Sequence, residues 1–280
     1  MENTGTLYLV ATPIGNLEDI SLRALRILRE CDLIACEDTR TSSVLLNKYN
    51  IHKKLTSFHI HNENQKLDEL LNLLKAGKNI AVISDAGTPG ISDPGWILLK
   101  RAQENNIAVD VIPGASAVIP AVLLSGFNPE RFIFLGFPPE KSQAAKKLYS
   151  SLKNLPLLLA FYISPHKILK NLDDILEIFD DRQCALIREL TKIHQEIINT
   201  SLKNLREKIL NDGQENKIRG ELVLIISGCD EKNSNDLSWQ EEADKLFNQG
   251  ESVKTIMNLL AEKYFLKNNV IKNYLRDKNL

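Results

Sequence analysis

The chain has 280 residues, of which 43% are hydrophobic and 25% charged, which is enough apolar material for one large or two medium-sized cores. A formal net charge of -1 excludes a protein that is basic throughout, so any nucleic-acid contact would rest on a local patch. Four cysteines form no CxxC pair and lie in or beside apolar runs, as reduced core thiols do. No apolar run approaches the ~18 residues of a membrane span, and the start lacks a basic region, so we expect a cytoplasmic protein.

Eight short apolar runs predict β-strands. They cover residues 7–11, 33–36, 80–83, 109–112, 132–135, 157–162, 184–187 and 222–226. Stretches with helical periodicity lie between most of them. In residues 21–29, for example, Ser21 can cap a helix whose inner face holds Leu22, Leu25, Ile27 and Leu28. This alternation of strand and helix predicts an α/β fold.

The same pattern predicts an N-terminal α/β domain, a C-terminal α/β domain and a small helical appendage. They cover residues 1–114, 115–230 and 237–280. The break between the α/β domains falls near residues 113–114 or in the turn at 127–129. The appendage is predicted because helical segments at 240–248 and 253–262 follow a polar stretch without any strand signal.

Three loops rich in small residues follow predicted strands, at residues 12–16, 84–95 and 113–117. Behind a buried strand of an open α/β sheet, such loops leave a crevice for a ligand. The patterns GxGxxG and GxxxxGK[ST] are absent, which argues against a dinucleotide fingerprint and a P-loop. The three loops could build one pocket with room for an adenosine-sized group, although each alone is also typical of a tight turn between strand and helix.

Two polar segments follow predicted strands close to these loops. Residues 37–40 read Glu-Asp-Thr-Arg, which fits either a capped helix with an arginine salt bridge or a polar pocket wall. In residues 59–63, an extended backbone would turn His59 and His61 to the same side. Two histidines can bind a metal, but no third ligand follows at a diagnostic spacing, so we predict no metal site.

Two basic segments could contact RNA. Residues 188–192 alternate in charge at the end of a predicted strand. Lys141, Lys146, Lys147 and Lys153 lie on one predicted helix with little acidic compensation. A solvated helix face and a contact with a phosphate backbone both fit this pattern, and the sequence leaves both open.

Taken together, these segments resemble the tetrapyrrole methylase superfamily, and within it the branch that methylates a cytidine ribose 2′-hydroxyl in small-subunit ribosomal RNA. The matching segments are residues 9–17, 35–40, 59–63, 84–95, 162–166 and 188–192. The resemblance implies two α/β domains with a cofactor cleft between them and S-adenosyl-L-methionine as the cofactor. It also implies a homodimer whose partner is 16S rRNA within the small ribosomal subunit, modified near the decoding site.

The resemblance further implies which residues contact the cofactor. They are Pro13, Asp85, Ala86, Gly87, Ile91, Ser116, Ala117, Gly220 and Leu222. A ribose hydroxyl must lose its proton before it attacks a methyl group, so a base is expected within hydrogen-bond reach. The candidate bases are His61, Glu63, Asp38 and Glu189. The residues expected to contact RNA phosphates are Arg40, Arg188, Lys192, Lys146 and Lys147.

Three positions depart from the residues usual in that family. Ile163 and Gln195 stand where a Glu is usual, and Lys167 stands where an Arg is usual. Two other functions therefore stay open. One is a C-methyltransferase acting on a cyclic tetrapyrrole, which the same fold supports, and the other is a ribosome-assembly factor that binds RNA without turnover.

Overall fold

The structure is a computed structural model that describes residues 4–211, 220–229, 239–264, 266 and 268–278. It divides into two compact units, Met1–Ala121 with Arg188–Glu196, and Val122–Ile187 with Ile197–Leu280. The domain boundary expected after residue 114 and the appendage expected from residue 237 remain predictions. Residues 230, 237 and 238, which those predicted bounds include, lie outside the described part of the chain.

The first unit is built on a five-stranded parallel sheet in the order β3-β2-β4-β1-β5. Its strands are β1 (Thr6–Val10), β2 (Leu33–Cys36), β3 (Leu55–Ser57), β4 (Ile80–Ile83) and β5 (Ala108–Ile112). The helices that connect them are α1 (Leu22–Glu30), α2 (Thr39–Lys48), α3 (Glu63–Lys75) and α4 (Trp96–Glu104), and α5 (Val118–Leu124) follows the last strand.

Alternating side chains of this sheet pack into two separate cores. Helices α1 and α2 cover one face, where Val10 and Ile83 are buried. Helices α3 and α4 cover the other face, where Leu9 and Val82 are buried. The neighbouring strands β1 and β4 therefore lead to helices on opposite faces. Such a switch point opens a crevice at the carboxyl ends of the two strands.

The second unit contains a five-stranded mixed sheet in the order β6-β7-β10-β8-β9. Its elements are β6 (Phe132–Phe134), α6 (Ser142–Leu152), β7 (Leu158–Ile163), α7 (Ile168–Phe179), β8 (Gln183–Arg188), β9 (Glu196–Ser201), α8 (Leu202–Asn211) and β10 (Leu222–Ile226). Strand β10 runs antiparallel to β7, and β6 runs parallel to it. The core is centred on Tyr149, whose ring contacts Phe161 edge-on at a centroid distance of 5.7 Å and also packs against Phe179.

Three further helices pack around a small apolar core of their own. They are α9 (Trp239–Asn248), α10 (Val253–Tyr264) and α11 (Asn268–Asp277). Trp239 is buried among them and its ring contacts Tyr274 edge-on at 5.0 Å. In the parts of the chain that the structure describes, no helix is both long and apolar enough to cross a membrane.

The α/β class is confirmed, and every one of the eight predicted strands is present. The cap of α1 is also confirmed, because the Ser21 hydroxyl accepts from the Ala24 backbone N–H at 3.1 Å. The inner-face position of Leu22 is wrong. This side chain is 86% exposed, because it occupies the first position of the helix and the apolar face begins at Ala24. Strands β3 and β9 have no apolar run and were not predicted.

The extended backbone that would turn His59 and His61 to the same side is not formed. Residues 59–62 form a turn, in which the His59 carbonyl accepts from the backbone N–H groups of Asn62 and Glu63. The Asn62 side chain closes the turn by accepting from the His59 N–H at 2.8 Å. A side-chain oxygen that satisfies a backbone donor in this way favours a turn over a strand.

Candidate functional site

The loops that follow β1 and β4 are fastened to each other at the switch point of the first sheet. Thr12 donates its backbone N–H to the Gly87 carbonyl at 2.8 Å, and Gly87 returns a hydrogen bond to Thr12 at 3.1 Å. The Thr12 hydroxyl, which is fully buried, donates to the Ser84 carbonyl at 3.0 Å. These contacts fix the two sides of the crevice relative to one another.

Small residues let the three loops approach one another closely. Gly87 adopts a positive φ of 77°, and a Cβ there would lie 3.7 Å from Ile14 Cγ2 and 3.9 Å from the Ala115 carbonyl oxygen. A Cβ on Gly114 would lie 2.9 Å from the Ala11 Cβ, so the loop after β5 comes against the end of β1. The three loops predicted to form one pocket are therefore neighbours, and their small residues fit a ligand that approaches the backbone closely.

The predicted cofactor residues of the first unit are distributed over these three loops. Pro13 and Gly87 are buried, whereas Asp85 and Ile91 are exposed. The remaining three, Ala86, Ser116 and Ala117, are half-buried.

Three carboxylates follow the ends of the adjacent strands β2 and β4. The Asp85 carboxylate accepts from the Asp38 backbone N–H at 3.2 Å. Desolvation raises the pKa of Asp85 and of Glu37, and the Asp85 charge raises the pKa of Glu37 further. Asp38 behaves in the opposite way, because the Arg40 guanidinium lies 2.6 Å from its carboxylate and lowers the pKa of Asp38 to about 2. Neighbouring carboxylates at this edge therefore titrate at well-separated pH values.

The turn after β3 places two histidines and a buried glutamate near that edge. The rings of His59 and His61 meet edge-on at 5.9 Å, and His61 is exposed. His59 also lies near Glu37. Its influence lowers the pKa of Glu37 and so offsets part of the increase caused by burial and by Asp85. Glu63 is buried at the start of α3, and its carboxylate accepts from the Gly95 backbone N–H at 3.1 Å. Glu63 therefore holds the far end of the Ser84–Gly95 loop.

The segment Arg188–Glu196 completes the first unit. Within it, Lys192 pairs with Glu189 at 2.8 Å, and Arg188 lies 3.5 Å from Glu196. Thr191 contacts the loop after β1, because its hydroxyl oxygen accepts from the Asn16 backbone N–H at 3.1 Å. Glu189, Arg188 and Lys192 therefore belong to the unit that carries the crevice.

Four predicted site residues belong to the second unit. Lys146 contacts Glu177 at 2.6 Å and Asp174 at 3.8 Å, so it has acidic partners although its own helix carries no acidic residue. These acidic partners lie on α7, so the sequence of α6 alone does not reveal them. Lys147 is exposed, and Gly220 is exposed with a φ of 93° just before β10. Leu222 is buried in the core, so its backbone is the part that a ligand could contact.

The three departures from family-typical residues each have a local partner or packing role. Ile163 is 2% exposed and packs in the core of the second unit, where a carboxylate would be desolvated. Lys167 pairs with Glu140 at 2.6 Å. The Gln195 side-chain oxygen accepts from the Thr191 backbone N–H at 2.8 Å. Gln195 therefore supports the residue that contacts Asn16.

Sequence analysis did not single out Thr12 or Thr191, and it assigned no role to Glu37 or His59. The signal for Glu37 was available, because it directly follows a buried strand next to the Asp38 and Arg40 pair. Among the described residues, no group of three or more His, Cys, Asp or Glu side chains comes together in a way that could hold a metal ion. The Cys36 thiol is buried, and desolvation raises its pKa.

Comparison with known proteins identifies the family. The profile described as "Tetrapyrrole (Corrin/Porphyrin) Methylases" matches residues 6–206. A "Ribosomal RNA small subunit methyltransferase I" from Haemophilus influenzae is 44% identical over 271 residues, covering 96% of this chain and 95% of that protein. The protein of the same name from Thermotoga maritima is 46% identical, covering 80% of this chain and 99% of its own length.

Among solved structures, a diphthine synthase superimposes with a TM-score of 0.62 at 14% identity, covering 80% of this chain and 90% of that one. A uroporphyrin-III-C-methyltransferase from Thermus thermophilus gives a TM-score of 0.55 at 17% identity, covering 80% and 92%. These identities are low, so the structural likeness establishes the fold alone. Because the family profile spans most of the chain and the sequence relatives align along most of its length, the chain belongs to the tetrapyrrole methylase family and is a methyltransferase that uses S-adenosyl-L-methionine.

Proposed function

We propose that this protein methylates the ribose 2′-hydroxyl of a cytidine in 16S rRNA, near the decoding site, within small ribosomal subunits in the cytoplasm. The observation that carries the proposal is the 44% identity, over 96% of the chain, to a protein named as an rRNA small subunit methyltransferase. A shared fold does not fix the acceptor, and the two structural neighbours named as tetrapyrrole methyltransferases are only 15% and 17% identical. Sequence relatedness therefore favours RNA over a tetrapyrrole.

In this proposal the crevice of the first unit takes part in cofactor binding. We propose that Pro13, Asp85 to Gly87, Ile91, Ser116 and Ala117 hold the cofactor there. Gly220 and Leu222 remain proposed cofactor contacts, as the family resemblance implies. S-adenosyl-L-methionine supplies a methyl group on a positively charged sulfur. The carboxylate of Asp85 is suited to a cationic or hydroxyl-rich ligand, and the small loop residues permit close backbone approach. The protein's part is to orient the acceptor oxygen and accept its proton.

The geometry favours His61 among the four candidate bases. Asp38 has a pKa of about 2 and is paired with Arg40, so it is a weak proton acceptor near neutral pH. Glu189 is paired with Lys192, and Glu63 is buried and bound to the Gly95 N–H. His61 is exposed on the turn after β3, and imidazole is the side chain most often used for this task.

Glu37 is a second candidate base that the sequence did not single out. Burial and the Asp85 carboxylate raise its pKa, which makes Glu37 a better proton acceptor than an ordinary carboxylate. The neighbouring His59 side chain also influences the pKa of Glu37. We therefore assign proton removal to the group formed by His61, His59 and Glu37, with Glu63 as a support for the neighbouring loop.

Basic side chains on both units are proposed to contact RNA phosphates. The Arg40 side chain is 89% exposed, and its pairing with Asp38 leaves it at the surface. Arg188 and Lys192 are half-buried and have acidic neighbours within their own segment. Lys147 is exposed on α6, whereas Lys146 is engaged by Glu177. We expect Arg40 and Lys147 to contribute more to RNA affinity than Lys146.

We also propose that the protein is a homodimer. Helix α5 exposes Ile119 and Leu123, which are 52% and 63% exposed and four residues apart on one helix face. Exposed apolar side chains that share a helix face are typical of a protein interface. Light scattering after size exclusion should give about twice the mass of one chain, and Leu123→Lys should shift it towards that of a monomer.

The deciding experiment is transfer of labelled methyl groups from S-adenosyl-L-methionine to unmodified small ribosomal subunits. Free rRNA and a tetrapyrrole precursor serve as parallel acceptors, and nucleoside mass spectrometry identifies the product. We expect 2′-O-methylcytidine from the subunits. Label in the tetrapyrrole alone, or in no acceptor, would refute the proposal.

A matched pair of variants tests the assignment of the base. His61→Gln should lower the single-turnover rate by about 10²- to 10⁴-fold, the usual contribution of a general base. His52→Gln is the control, because His52 is also an exposed histidine of the first unit but lies before β3 rather than after it. Equal rates for the two variants would exclude His61 as the base.

A further inference from the structure

Two loops that are far apart in sequence are packed against each other in the first unit. The backbone N–H of Asn16 donates to the Thr191 hydroxyl oxygen at 3.1 Å, across a separation of 175 residues. A Cβ on Gly15 would lie 2.6 Å from both that oxygen and Lys192 Cγ. The approach is thus close enough that only glycine fits at residue 15 without a shift of the partner loop.

The loop that carries Thr191 has a strained backbone. Glu189 and Thr191 have φ values of 51° and 66°. A β-branched residue at positive φ is uncommon, and such strain persists only where surrounding contacts hold it. Three contacts do so here. The Gln195 side-chain oxygen accepts from the Thr191 N–H at 2.8 Å, the Glu189 carbonyl accepts from the Lys192 N–H at 3.0 Å, and the Lys192 ammonium lies 2.8 Å from the Glu189 carboxylate.

We propose that Thr191, held in place by Gln195, is a positioning residue that fixes the Pro13 to Asn16 loop in its cofactor-binding conformation. The inference rests on the proposed assignment of Pro13 to the cofactor site. A loop that is already ordered loses less conformational freedom when a ligand binds, so its contacts contribute more to affinity. Thr191 itself is assigned no contact with the cofactor or with the reacting atoms.

This inference also accounts for Gln195. The Thr191 N–H needs a side-chain oxygen that can accept a hydrogen bond, and an amide oxygen accepts as a carboxylate oxygen does. A glutamine at residue 195 therefore fulfils the positioning role without a negative charge. Gln195→Glu should leave cofactor affinity within about twofold of the wild type, whereas Gln195→Leu, which has no acceptor, should weaken it about as much as a Thr191 change.

The test compares Thr191→Val with Thr191→Ser. Valine keeps the shape but loses the acceptor oxygen, whereas serine keeps the oxygen. Two quantities are measured on the full chain without RNA: amide hydrogen exchange at Asn16, by NMR, and the Kd for S-adenosyl-L-methionine, by calorimetry. For Thr191→Val we expect exchange about fivefold faster and a Kd about three to ten times higher, as for loss of one hydrogen bond. Thr191→Ser should stay near the wild type, as should the control Thr200→Val on β9.

Several outcomes would overturn the inference. It fails if Thr191→Val changes neither quantity, or if Thr191→Ser weakens binding as much as Thr191→Val does, since the oxygen would then be irrelevant. Ser116→Phe, a bulky change in the proposed crevice, tests whether the cofactor binds there. If Ser116→Phe abolishes binding, the inference also fails when Thr191→Val speeds exchange at Asn16 but leaves the Kd unchanged. If neither Ser116→Phe nor Thr191→Val alters the Kd, the proposed cofactor site itself is wrong.

Discussion

Thr12 and Gly87 exchange two backbone hydrogen bonds, 2.8 and 3.1 Å long, between the loops that follow β1 and β4. Neither residue belongs to a regular strand, so this bridge extends the pairing of the sheet beyond its last regular residues. The positive φ of Gly87 lets the loop after β4 turn back towards Thr12. These hydrogen bonds therefore hold the two loops together just beyond the ends of β1 and β4.

Replacing Thr12 by valine should destabilise the protein by about 1 kcal/mol, because the Ser84 carbonyl loses a buried hydrogen-bond donor. Affinity for S-adenosyl-L-methionine should fall with it. Urea denaturation and calorimetry measure the two effects. Thr12→Ser keeps the hydroxyl and is the control. If the serine and valine variants are equally stable, the hydroxyl contact contributes nothing.

Glu63 should prove to be a support for the Gly95 N–H rather than a base. Glu63→Gln retains an acceptor oxygen, so the methyl-transfer rate should stay within about threefold of the wild type. Glu63→Ala leaves the buried N–H without its acceptor and should cost about 1–3 kcal/mol of stability. Rates and unfolding curves of the two variants decide the role. A loss of about 10²-fold or more in kcat for Glu63→Gln, at unchanged stability, would identify Glu63 as the base.

The ion pair of Asp38 with Arg40 should stabilise the fold in a defined pH range. The folded pKa of about 2 lies below the value of about 3.9 for an unfolded aspartate, so the contribution is complete above about pH 4 and is lost as the pH falls towards 2. Asp38→Asn should therefore unfold more easily than the wild type at pH 6, with a difference that shrinks on acidification. A difference that is constant between pH 6 and pH 3 would contradict this assignment.

Glu37 should show the opposite dependence. Its folded pKa is raised, so its favourable contribution is present at low pH and is lost as the pH rises through that pKa. Glu37→Gln should consequently be more stable than the wild type at pH 7, and the difference should fade towards pH 4. Urea denaturation across this range measures it, with Glu18→Gln at an exposed position as the control. A glutamine variant that is less stable at pH 7 would show that the hydrogen bonds of the carboxylate outweigh its desolvation.

The fold was predictable where local sequence determines structure. Apolar runs such as residues 80–83 form fully buried strands, and Ser21 caps α1 through its own side chain. Strand β3 escaped prediction because its three residues are all half-buried and carry no apolar run. Its position depends on pairing with β2 rather than on its own composition.

Sequence analysis predicted which loops lie together, but it did not predict which residues in them contact one another. Loop composition indicated that residues 12–16, 84–95 and 113–117 belong together, because all follow strands of one parallel sheet. The contact between Asn16 and Thr191 was not predictable, because no local pattern links residues 175 positions apart. The turn at His59 was missed for a different reason, since the Asn62 side chain competes with the strand for a backbone donor.

The return of residues 188–196 to the first unit has a consequence for synthesis on the ribosome. All five strands of the first sheet are complete once Ile112 has been made, but Thr191 is added roughly eighty residues later. At about 5–20 residues per second, this delay is on the order of ten seconds. During that interval the nascent first unit has its sheet but lacks the contact with Asn16, so the loop after β1 gains this hydrogen bond only late in translation.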